Sequence, residues 1–324
     1  MNGHGRIRGM TEARWQAWGH NLAIAAAYGA LYEVTRHLSF PQWMLTAGLR
    51  LACLLLLPTR YWPALAVGEG LPLLENAFFL APDLGVAWAV SEAVPMVVLW
   101  MALLKPLRQR WSLHDDQGRL RMPVILSAAL GAAVITATAT LLTAVTAIMN
   151  TPTGEWPDPN TAWPGYFLAY TLGAYLGALT LTPTILAMRE RFLALDGKPL
   201  TAARVWHSAL FRDVLGWVLP ALATLTWIAV HTHDDTLQQV ARFALICPVL
   251  VLAWRHGWHG TAVGGMSASI ALAITAPGVL ADPATLRVQA ILALVVSGGL
   301  LVGAWASARA KAKATRVSTR AARL

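Results

Sequence analysis

The chain of 324 residues is 56% hydrophobic and 13% charged, with a mean hydropathy of +0.52; soluble domains carry about a quarter charged residues. These figures exclude an ordinary soluble enzyme, a disordered chain and a disulfide scaffold, and point to a polytopic membrane protein. The net charge of +9 suggests nucleic-acid binding only if position along the chain leaves the basic residues unexplained.

A membrane span takes about 20 apolar residues, and ten such runs follow one another. The first, Trp18–Val34, has no A-x-A-like cleavage site behind it, so it reads as an uncleaved span. The second is Trp43–Pro58, the third Pro63–Leu80 and the fourth Leu84–Leu104. The turn at Ala81–Asp83 is short, so the third and fourth also fit a broken hairpin that does not fully cross. A polar stretch, Lys105–Arg121, precedes the Ala- and Thr-rich fifth span, Pro123–Met149. A loop, Asn150–Asn160, leads to the sixth, Pro164–Met188, and a second polar stretch, Arg189–Arg212, to the seventh, Val214–Val230. The eighth, ninth and tenth are Gln239–Trp254, Thr261–Leu280 and Arg287–Ala308, followed by a basic tail, 309–324. Long continuous runs without alternation exclude a membrane barrel. The expected fold is an all-α, polytopic integral membrane helical bundle of about eight to ten transmembrane helices, with residues 1–308 as one domain.

Placing the N-terminus inside puts 21 of the 25 basic residues on inner segments. The outer segments then hold Arg36, Arg242 and Arg287 beside Asp83, Glu155, Asp158, Asp234, Asp235 and Asp282. This is the positive-inside pattern, and an even span count agrees with the basic tail, so both termini are expected in the cytoplasm. The charge is a topology signal, and no nucleic-acid partner is expected. Trp15, Trp18, Trp43, Trp62, Trp111, Trp163, Trp254 and Trp258 fall near span ends, as headgroup anchors do.

Charged groups inside spans carry the most information. Arg50 lies in the second span, Glu69 and Glu75 in the third and Glu92 in the fourth. Such charges usually face a partner or a wet cavity. Arg50 and Glu69 fall within about 5 Å in depth across their shared turn at 1.5 Å per residue. Glu75 and Glu92 match across the outer turn. The four are expected to cluster, with Arg50 paired to Glu69 or Glu92. Either the remaining carboxylates line a ligand or proton site, or the pair only fixes helix register.

Other features read more simply. Glu33 and Arg36 form an i,i+3 boundary pair. His231-Thr232-His233-Asp234-Asp235 has metal-ligand residue types, but its spacing matches no metal motif, so no metal or cofactor is expected. His256 and His259 sit in a Gly-bearing turn. Gly173/Gly177 and Gly299/Gly303 are G-x-x-x-G pairs, expected to serve internal packing, with homodimerisation the other reading. Cys53 and Cys247 lie in apolar runs and read as small hydrophobes. The chain lacks G-x-x-x-x-G-K-[ST], H-E-x-x-H and G-x-S-x-G, so it is not expected to be an enzyme.

Three stretches together resemble the membrane-associated sensor domain family, type 1 (MASE type 1). They are PQWMLTAGLRLACLLLLPTRYWPALAVGE from Pro41 to Glu69, YTLGAYLGALTLTPTILAM from Tyr170 to Met188, and RFALICPVLVLAWRHGWHGTAVGG from Arg242 to Gly265. The resemblance implies a bacterial inner-membrane sensory module. In such proteins this module precedes a histidine kinase or a cyclic-dinucleotide enzyme. The chain departs from that pattern by stopping at Leu324, and by Ala174 where the family often has an acid. It is therefore expected to act through a separate kinase or cyclic-dinucleotide partner. The other readings are a small-molecule or ion transporter and a structural subunit of a membrane complex.

Overall fold

A computed structural model of the chain describes residues 3–115, 120–150, 159–193, 206–276 and 279–321. Arg119, most of the loop with Glu155 and Asp158, and the segment with Lys198 and Arg204 lie outside the described residues, as do the side chains of Arg6, Arg8 and Arg14 and of the tail beyond Arg309. Among the described residues every regular element is a helix. In chain order they are α1 (Gly3–His37), α2 (Leu45–Leu56), α3 (Trp62–Leu84), α4 (Val86–Glu92), α5 (Met96–Arg110), α6 (Met122–Asn150) and α7 (Pro159–Leu193). A short α8 (Ala209–Asp213) runs through one wide π turn, Val214–Val218, into α9 (Leu219–His231). Then come α10 (Asp235–Ala244), α11 (Cys247–Thr275) and α12 (Pro283–Ala321). α12 carries the tenth predicted span and the backbone of the tail, through Ala321, as one helix.

Among the described residues, six stretches are long and apolar enough to cross a membrane: Thr59–Leu84, Met122–Met149, Ala162–Leu193, Ala209–His231, Asp235–Thr275 and Pro283–Arg309. α4 and α5, bent by 41° to one another, make a seventh. The expected ten are thus six or seven by this measure, for three physical reasons. α1 carries His20, Asn21, Tyr28, Tyr32 and Glu33 through the first predicted span, which lowers its apolarity. α2 has 12 residues, about 18 Å at 1.5 Å per residue. The predicted eighth and ninth spans belong to one continuous run.

That run doubles back at Gly257, where φ is +60° and ψ −142°. A Cβ on Gly264 would meet Leu252 at 3.0 Å and Val249 at 3.3 Å. In an unbroken helix those residues lie about 18 to 22 Å away. The arms 247–256 and 258–275 therefore pack side by side, and the predicted turn is real. A side chain at 257 would be strained there, because this region of φ and ψ belongs to glycine.

Both G-x-x-x-G pairs pack within the chain. Gly173 and Gly177 face the backbone of Pro41 and Met44, where α2 begins. There Met44 N–H donates to Gly173 O at 3.0 Å. Thr182 Oγ1 donates to Gly48 O at 2.8 Å. Gly299 and Gly303 face Thr261 and the Gly257–Trp258 backbone. Small residues let these backbones touch.

The predicted sides also appear as shared ends. At one end Arg108 Nη1 donates to the Leu54 and Leu57 carbonyls at 2.6 and 2.9 Å, and Asp213 holds His256 at 2.7 Å and Arg255 at 3.2 Å. At the other, Arg36 reaches Asn76 at 3.4 Å and Gln289 Nε2 donates to Gln42 O at 3.0 Å. One expectation fails here. Trp43, Trp62 and Trp258 are buried rather than at an outer rim, and Trp43 Nε1 donates to Thr180 Oγ1 at 3.0 Å. Trp15, Trp18, Trp111 and Trp254 are exposed.

Candidate functional site at the Arg50–Glu69 pair

The site grows from close helix packing. α1 and α3 approach through glycines: a Cβ on Gly29 would stand 2.9 Å from Gly68 O. This contact sets Tyr28 of α1 against Glu69 of α3. α2 brings Arg50 from the other side. Glu69 is fully buried, and Arg50 is 6% exposed. Arg50 Nε donates to both carboxylate oxygens of Glu69, at 3.0 and 2.9 Å. Tyr28 OH donates to Oε2 at 2.9 Å.

A third donor, and a fourth contact, comes from backbone. The break at Ala93–Pro95 starts α5 beside Glu69, and Val97 N–H donates to its Oε1 at 3.2 Å. A carboxylate at a helix N-terminus meets unsatisfied N–H groups and the positive end of the dipole. The bend between α4 and α5 therefore supplies Glu69 with a donor that a straight helix would keep for itself. Arg50 is flanked by the Tyr32 ring at 5.4 Å and the Trp100 ring at 5.9 Å, both within cation–π range.

Only one edge of Arg50 is used. Its terminal nitrogens make no hydrogen bond among the described residues. Arg50 lines a cavity of about 450 Å³ between α1, α2, α3, α4, α5, α6 and α7, within the size range of small-molecule sites. Glu92, Ser91, Thr140, Thr143, Tyr32 and Tyr170 supply further polar groups on its walls. Thr136 closes one side and takes Trp100 Nε1 at 3.2 Å.

Of the four predicted residues, the structure joins Arg50 to Glu69 and places Glu92 on the same cavity. Glu75 is exposed on the outer face of α3, which corrects its place in the cluster. It is six positions beyond Glu69, and at 100° per residue that turns it about 120° away from the face Glu69 occupies. Sequence reasoning missed Tyr28, the Val97 N–H and the cavity threonines. Thr136, Thr140 and Thr143 recur at i, i+4 and i+7 in an otherwise apolar span, a signal that one helix face is polar.

The remaining predicted features have structural duties. Glu33 and Arg36 pair at 3.4 Å, and His37 joins Glu33 at 3.4 Å. Asp234 caps α10, accepting from Thr236 and Leu237 N–H. His256 ties the Gly257 turn to α8 through Asp213, and His259 lies 3.6 Å from Glu190.

The three sequence stretches that carried the family resemblance meet in space. The first supplies α2 and Glu69, the second packs its glycines on α2, and a Cβ on Gly265 of the third would stand 3.5 Å from Thr180 of the second. The family model for MASE1 matches residues 21–310. The chain belongs to the MASE1 family. As a MASE1 protein it is a multi-pass sensory module of the bacterial inner membrane. It is similar to the signal transduction histidine-protein kinase/phosphatase UhpB of Salmonella typhimurium strain LT2. The two are 25% identical over 254 residues, 77% of this MASE1 chain and 45% of that protein. The chain thus spans about half the length of this curated relative. No solved structure matches it.

Proposed function

We propose that this MASE1 chain is a non-catalytic sensor. A small ligand or a proton acts at the cavity shared by Arg50 and Glu92, and a separate kinase or cyclic-dinucleotide partner at the cytoplasmic face reads the change. The observation that carries this reading is the free edge of the Arg50 guanidinium on a partly open polar cavity. A buried cation with open donors is an unmet demand for a hydrogen-bond acceptor. The similarity to a histidine-protein kinase/phosphatase supports the choice of partner class.

The mechanism follows from shared contacts. Glu69 touches α1, α2, α3 and the start of α5 at once. An acceptor arriving at the terminal nitrogens of Arg50 changes how Arg50 holds Glu69, and so the seat of α5. Such a ligand shifts the equilibrium only if it binds the two arrangements unequally.

Ala144 lines the same cavity on α6, so Ala144→Trp fills it while leaving Arg50 and Glu69 themselves unchanged, and Glu92→Gln removes the wall charge. In cells, partner phosphorylation or cyclic-dinucleotide level is expected to stop responding in both variants while insertion stays normal. Wild-type response in both overturns the reading. Solute counterflow through the purified chain in liposomes would instead assign it to transport.

A further inference from the structure

A second polar cavity, of about 530 Å³, lies away from Arg50, between the end of α9, α10, the end of α11 and the start of α12. Its inner wall is Arg242, only 3% exposed. One terminal nitrogen of Arg242 donates to Thr275 O. Its Nε has no partner among the described residues, and neither does the buried Oε1 of Gln239. Residues 239 and 242 stand three apart on α10, so they share one helix face. Arg242 and Gln239 thus both line this cavity, each with one buried polar atom that has no partner among the described residues.

The charges around them narrow the occupant. Asp235 lines the same cavity and is exposed, and Asp282 lines it while capping α12 through Thr285 and Ala284. One cation and two carboxylates disfavour a dianion such as phosphate. A ligand bearing both a carboxylate and an ammonium matches the set. Its carboxylate meets Arg242 Nε–H, and its ammonium meets Gln239 Oε1 and Asp235. We propose that this cavity is a binding site for a small zwitterion of the α-amino acid class. It is separate from the Arg50 cavity and does not depend on it.

The test uses the full chain in nanodiscs, titrated calorimetrically with each common L-α-amino acid at millimolar concentration. Matched N-acetyl amino acids remove the ammonium, and the corresponding primary amines remove the carboxylate. At least one amino acid is expected to bind, with its N-acetyl and amine counterparts at least about tenfold weaker, as loss of a charge-assisted partner implies. Because Arg242 also holds Thr275, Arg242→Gln risks misfolding. Asp235→Asn and Gln239→Leu are therefore the deciding variants, each expected to weaken binding about tenfold on the same grounds. Ala144→Trp, in the other cavity, is expected to leave binding unchanged. The proposal is overturned if no amino acid binds, if N-acetyl forms bind equally well, if both deciding variants bind like wild type, or if Ala144→Trp abolishes binding.

Discussion

Removing Arg50 is the sharpest test of how the bundle is held. In Arg50→Ala, Glu69 stays fully buried and keeps only the Tyr28 hydroxyl at 2.9 Å and the Val97 N–H at 3.2 Å. It loses both contacts from Arg50 Nε and, among the described residues, its salt-bridge partner, while Tyr32 and Trp100 lose the guanidinium between them. Breaking a buried ion pair from one side costs about 3 to 5 kcal/mol. The assay is reversible unfolding in mixed micelles by dodecyl sulfate titration, followed by tryptophan fluorescence. The reasoning also predicts a rescue. Replacing the whole network with apolar groups (Arg50→Met, Glu69→Leu and Tyr28→Phe together) strands no charge and no hydroxyl. That triple variant is expected to be at least about 2 kcal/mol more stable than Arg50→Ala, since apolar replacement of buried pairs is often neutral or better. A loss below about 1 kcal/mol in Arg50→Ala, against the expected range, refutes the account. A triple variant no more stable than the single one also refutes it.

Packing and pH give three further predictions. Gly177→Ala pushes a methyl into the Met44 backbone and is expected to destabilise by about 1 to 3 kcal/mol, whereas Gly298→Ala meets open space and stays within about 0.5 kcal/mol; the same titration checks both. Gly257→Ala forces a side chain into the positive-φ turn and is expected to cost about 1 to 3 kcal/mol, read as a lower thermal midpoint with unchanged insertion. Burial raises the Asp282 carboxyl, but hydrogen bonds from the Thr285 hydroxyl and the Thr285 and Ala284 N–H groups, with Arg242 opposite, bring it below its ordinary value. A depressed carboxylate stabilises the fold above its unfolded pKa of about 3.9 and loses that effect as pH falls through the folded value. Asp282→Asn is therefore expected to melt below wild type at neutral pH and together with it at acid pH, and a constant difference across that range contradicts the assignment.

Much of the architecture was legible in the chain. Hydrophobic runs marked the helices because a bilayer forces the backbone to satisfy itself. The spread of Arg and Lys grouped segments that the structure finds at shared ends. The G-x-x-x-G spacing marked close packing, and the rarity of charge inside spans singled out Arg50 and Glu69. Sequence spacing did not show helix rotation, which sets where a side chain points. Rotation sent Glu75 outward and Glu92 to the cavity, and it buried Trp43 and Trp62. Nor did it show that the α4–α5 break would aim a backbone N–H at Glu69.

By itself, the sequence determined that this protein is a helical membrane bundle, because composition and periodicity act locally, residue by residue, while three stretches of matching residues carried the resemblance to MASE1. Only the tertiary structure decided which charges meet, which stay open and where the two polar cavities lie. Those depend on the rotation and approach of helices far apart in sequence, and Arg242, an unremarkable outer-segment arginine in the chain, becomes a buried donor only once α10, α11 and α12 close around it.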